Sequence, residues 1–174
     1  QALLTETPGD GEAMKHLADL HERLGKPLLA ANLWKQIRES SSIKNVRVEA
    51  AIRGILAYLA GQDGKSAQGL LDSVQSVLPR DTAIELRAAV ARELGDVKMQ
   101  AEALEQLANN VSQPPDKRAG YFLEAAQLAA AQGDDSLALE RARRAVQLSP
   151  HSAEAVLELR RLEYRVRGTG TPRE

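Results

Sequence analysis

Residues 119–150 read AGYFLEAAQLAAAQGDDSLALERARRAVQLSP. Two apolar-periodic stretches stand on either side of Gly133-Asp134, and Pro150 closes the run. In the first stretch Phe122, Ala125, Ala126 and Ala129 lie at offsets of three, four and seven, which places their side chains on one helical face. In the second, Ala138, Ala142 and Ala145 keep a helical spacing. Gly133 suits the left-handed stop after a helix, and Asp135 can accept hydrogen bonds from the free N–H groups of the next one. The stretch therefore predicts two helices joined by a tight turn.

The same pattern extends outward in both directions. Gly25, Gly61, Gly95 and Gly133 each separate two Ala/Leu-rich stretches, at spacings of 36, 34 and 38 residues. Apolar anchors of the first helices, Met14, Ala51, Ile84, Phe122 and Val156, recur at 37, 33, 38 and 34. Pro8, Pro79, Pro114 and Pro150 stand between hairpins, with Ser42 in that place after the first. Met14, Leu17, Ala18 and His21 share one face of a first helix, as do Ala51, Gly54, Ile55 and Tyr58. Ala30, Trp34 and Ile37 in one second helix match Ala67, Leu71 and Val74 in the next. Asp10, Asp81, Asp116 and Ser152 are expected to cap first helices, Asp96 and Asp135 second helices, and Pro27 to sit in a first turn. One hairpin cannot bury both of its faces, whereas a stack can. The sequence thus predicts an all-α, right-handed superhelical solenoid of about nine helices without a sheet.

These residues resemble the tetratricopeptide repeat family. The copies span about 11–44, 48–81, 81–115 and 119–152, within a domain of 11–167 that ends on a C-terminal helix at 153–167. The fourth copy carries the family's Gly-Asp turn, second-helix Ala and closing Pro, and the second has its Tyr at Tyr58 with Ala67 and Pro79. The third departs from the pattern: Arg87 stands where leucine is usual, and Ala101 falls one residue late. Ala2, Leu3 and Leu4 read as the end of a preceding repeat within 1–10, and 168–174 as a flexible tail. The chain is expected to be a piece of a longer, bacterial protein.

Composition limits the function. The 174 residues carry 43% hydrophobic and 27% charged residues and only 3% aromatic ones, so Ala and Leu must fill the core. A net charge of -1 disfavours nucleic acid as the main partner. Without cysteine there is no disulfide framework or thiolate metal site. No apolar run approaches the roughly 18 to 20 residues of a membrane span, and no targeting segment is visible, which leaves bacterial periplasm and cytoplasm both open.

No catalytic constellation emerges, and no enzyme activity, cofactor or metal is expected. His16, Asp19, His21 and Glu22 cluster, but His21 is turned about 140° from His16 on a helix, unlike the four-residue spacing of zinc helices. His151 reads as a loop residue. Gly64-Lys65-Ser66 lacks the upstream glycine and strand of a phosphate loop, and Ser40, Ser41 and Ser42 lack a nucleophile motif. Arg141, Arg143, Arg144, Arg160, Arg161, Arg165, Arg167 and Arg173 crowd the last third, but Glu140, Glu154, Glu158 and Glu163 alternate with them as on a solvated surface.

The resemblance implies that first helices line a concave wall that faces a protein or peptide partner. Carried onto this chain, the wall holds Glu12, Lys15, Asp19 and Glu22, then Glu49, Ile52, Leu56 and Leu59, then Glu85, Ala89 and Arg92, then Leu123, Gln127 and Ala130. The carboxylate clamp of the family's chaperone-binding subgroup is not expected, because Asp19 stands where that clamp needs Asn. Ile52, Leu56, Leu59 and Leu123 are expected to form an apolar strip for a helix or extended peptide, with Glu85, Arg92 and Gln127 beside it. The alternative is that these side chains pack against neighbouring repeats or against the linker Ile43 to Val46. Function is expected to be that of a protein-binding scaffold, by resemblance in envelope assembly or polysaccharide export. A regulatory arm of an enzyme such as a glycosyltransferase, or an RNA-binding helical repeat, are the alternatives.

Overall fold

The computed structural model describes residues 8–169, with the burial of side chains given for 11–168. Among the described residues there are nine helices and no strand. They are α1 (Pro8–Arg23), α2 (Pro27–Ser40), α3 (Lys44–Ala60), α4 (Gly64–Val74), α5 (Arg80–Leu94), α6 (Val97–Asn109), α7 (Pro115–Ala131), α8 (Asp135–Leu148) and α9 (Ala153–Thr169). The all-α hairpin pattern is as the periodicity predicts. The expected end of a preceding repeat at Ala2 to Leu4 lies outside the described residues, as does 170–174 of the expected tail; the first two residues of that tail, Gly168 and Thr169, instead continue α9.

The chain forms two compact units, Gln1–Asp96 and Val97–Glu174. In the first, α1 packs on α2, α2 on α3, α3 on α4, and α5 on both α4 and α3. Its core gathers Ala18, Ala30, Ala31, Trp34, Ile37, Ala50 and Ala57, with Met14, Leu33, Val46 and Tyr58 at the edge. The alanines let helices approach closely, and Trp34 and Ile37 fill the space left between them. In the second unit α6 packs on α7, α7 on α8, and α9 on both α8 and α7. One cluster there joins Ala108, Ala119, Phe122, Leu123, Ala145 and Ala155, and another joins Ala126, Ala129, Ala138, Ala142 and Leu162.

The turn chemistry is repeated, with one substitution. The first helices α1, α3, α5 and α7 each end on a paired hydrogen-bond closure. Gly25 N–H donates to the Glu22 carbonyl at 3.1 Å and Lys26 N–H to that of His21 at 2.9 Å. The equivalent donors are Gln62 and Asp63, Gly95 and Asp96, and Gly133 and Asp134. The first donor of each pair takes a left-handed φ: 67° at Gly25, 57° at Gln62, 69° at Gly95 and 81° at Gly133. The second turn thus puts glutamine, not the expected Gly61, in the left-handed position. Gly61 lies one residue earlier with φ -85°. Its small size serves close approach instead, because a Cβ there would lie 2.5 Å from Leu28 Cδ2.

Gln62→Gly is expected to stabilise the chain by a few tenths to about 1 kcal/mol, since left-handed backbone strains a residue with a Cβ and glycine's larger unfolded-state entropy offsets only part of that gain. The readout is a higher urea midpoint at unchanged slope. A lower midpoint would show that the Gln62 side chain contributes more than the strain it imposes.

Several expected caps move by one or two residues. Pro79 and Pro114 occupy the cap positions of α5 and α7, with φ near -54° and -55° and no side-chain bond. Asp81 and Asp116 therefore fall inside the first turn, where their charge still favours the positive end of the helix dipole. Asp10 likewise lies inside α1. Asp134 rather than Asp135 caps α8, accepting from Leu137 N–H at 3.0 Å. Ser152 caps α9 as expected, accepting from Ala155 N–H at 3.3 Å. Asp63 caps α4 by accepting from Ser66 N–H at 3.1 Å. The side-chain and backbone hydrogen bonds of Ser66, in that order, hold its carboxyl below the usual value. The expected linker at Ile43 to Val46 shrinks to Ile43, because α3 already begins at Lys44.

Candidate functional site

The α3 helix sorts its residues by face. Ala50 and Ala57 join the core with α1 and α2, and Ala51 and Ile55 are also buried. Ile52, Leu56 and Leu59, at offsets of four and seven, form a separate stripe. Ile52 and Leu59 are half-buried, and Leu56 is 47% exposed.

On the α1 side of this stripe the charges are engaged. Lys15 Nζ meets Glu49 Oε2 at 3.2 Å. Arg53 reaches Asp19 at 2.5 Å and Glu22 at 2.8 Å, while its guanidinium lies 4.8 Å above the centre of the Trp34 ring. The indole N–H of Trp34 donates to Glu22 at 2.8 Å. Desolvation works against the charge on Arg53, but the hydrogen bond and attraction from Glu22, then the attraction and hydrogen bond from Asp19, outweigh it and hold its pKa above the usual value. Lys15, Asp19 and Glu22, expected to face a partner, thus tie α1 to α3. The same bonds take Asp19 and Glu22 out of the histidine cluster, and no group of three metal-ligating side chains occurs among the described residues.

On α5, Glu85 is half-buried and Arg92 exposed, seven residues apart on one face. Each is already engaged by a neighbouring group. The first unit therefore presents charged residues on α1, α3 and α5 with Leu56 exposed among them, as Leu17, Leu20 and Leu94 are on the neighbouring helices.

The other two expected contacts belong to the second unit. Leu123 is only 6% exposed and packs among Ala108, Ala119, Phe122, Ala145 and Ala155. Its side chain is part of the core, so the expected apolar strip does not extend to it. Gln127, one turn further along α7, is exposed.

The arginine-rich region is largely neutralised. Arg141 binds Glu105 at 2.6 Å and the Ala125 carbonyl at 3.4 Å. Arg144 pairs with Glu140, Arg160 with Glu163 and Arg161 with Glu158. Arg165 pairs with Asp135 and donates to the Ala130 carbonyl at 3.0 Å, near the end of α7. Arg118 Nε does the same for the Ala108 carbonyl at the end of α6, at 2.9 Å. Cationic side chains at helix C-termini satisfy carbonyls that have no partner within the helix.

Sequence reading missed these ties. The pairs Lys15–Glu49 and Arg53–Asp19 are each separated by 34 residues, and Arg141–Glu105 by 36. Opposite charges one repeat apart were the available signal. Gln100 was also missed. It stands where the other second helices place a buried alanine, one residue before the late Ala101, and it is buried with its amide 3.2 Å from Glu124 Oε1.

The sequence matches no protein-family model and no curated protein. Among solved structures, the chain is similar to the TPR-like repeats of a Podosopora anserina kinesin light chain. The identity is 21% and the TM-score 0.71, over 95% of this chain and 90% of that one. A single-substitution variant of the same protein gives 20% and 0.70 over the same shares. A MamA RS-1 double mutant gives 18% and 0.70, over 90% of this chain and 84% of that one. These likenesses are of fold, and the fold is that of a TPR-like helical-hairpin repeat.

Proposed function

We propose that the chain is a protein-binding scaffold that captures a segment of another protein across the α3 and α5 face of its first unit. The observation that carries this reading is the exposure of Leu56. It stands between half-buried Ile52 and Leu59, beside the ion pairs that brace α1 against α3. Burying an exposed leucine against a partner is worth about 1.5–3 kcal/mol before ordering costs. Glu85 and Arg92, spaced along the neighbouring helix, supply polar contacts at the rim. The setting implied by resemblance, envelope assembly or polysaccharide export, is where such a segment would be sought first.

Selection of random displayed peptides on the intact chain tests the reading. Selected peptides are expected to shift amide signals of α3 and to lose binding, by about tenfold or more, to Leu56→Glu. Leu56 is exposed, so that variant should melt with the parent. Peptides that bind the variant and parent equally would overturn the assignment of this face.

A further inference from the structure

We draw no further inference here: the strongest candidate, the surface patch of exposed Leu17, Leu20 and Leu24 on α1 with Leu28 and Leu29 at the start of α2, is an unpartnered apolar face, and nothing in the structure shows what covers it.

Discussion

Trp34→Ala is expected to destabilise the first unit by about 3–5 kcal/mol, the usual cost of truncating a fully buried aromatic. The indole is buried within the cluster formed by Ala18, Ala30, Ala31, Ile37, Ala50 and Ala57. Alanines cannot lean into a cavity, so the vacated space stays open and the cost should fall toward the upper end. The ring also holds Glu22 through its N–H and lies beneath Arg53. Its loss therefore loosens the ties between α1 and α3. Against an ordinary total stability of about 5–15 kcal/mol this is a large fraction. Circular dichroism during urea unfolding is the measurement, because the substitution removes the chain's single tryptophan. Trp34→Phe keeps most of the ring while losing the bond to Glu22, and should fall between the two. An unchanged midpoint for Trp34→Ala would remove Trp34 from the core.

Leu162→Ala should have the next largest effect, about 2–5 kcal/mol, and should act on α9 first. Leu162 is fully buried among Ala126, Ala129, Ala138 and Ala142, and is the one large side chain in that buried cluster. Its removal leaves α9 held by Ala155, by half-buried Leu159 and by the bonds of Arg165 to Asp135 and to the Ala130 carbonyl. Native-state hydrogen exchange should show amides of α9 losing protection before those of α7 and α8. Uniform loss across the three helices would mean that α9 unfolds only with the rest of its unit.

The hairpin organisation is written in local pattern. Offsets of three, four and seven in Phe122 to Ala129 define a buried helical face wherever the chain goes, and Gly25, Gly95 and Gly133 end their helices through backbone freedom alone. Such signals act within a few residues, and sequence is sufficient to read them. The second turn shows their limit. Gly61 looks like the stop, yet Gln62 takes the left-handed angle, and Gly61 lies one residue earlier beside Leu28. The starts of α5 and α7 precede the expected caps Asp81 and Asp116 for a local reason, a proline with pre-set φ in the cap position.

Exposure, and with it the candidate site, was decided by tertiary neighbours. Ile52 and Leu123 hold the same position in two copies, but Ile52 is half-buried while Leu123 lies in the core with Phe122 and Ala155. Lys15, Asp19 and Glu22 resemble a binding wall in sequence and are spent on Glu49 and Arg53 one repeat away. The arginines of the last third resemble a basic patch, but Arg141 and Arg165 close onto carbonyls and carboxylates of neighbouring helices. The sequence by itself determined the succession of helical hairpins and main buried positions such as Phe122, Ala125, Ala126 and Ala129, because these follow from periodicity and turn chemistry. Only the tertiary structure decided which polar and apolar side chains remain free to meet a partner, because each such side chain is captured or left by a residue some thirty positions distant.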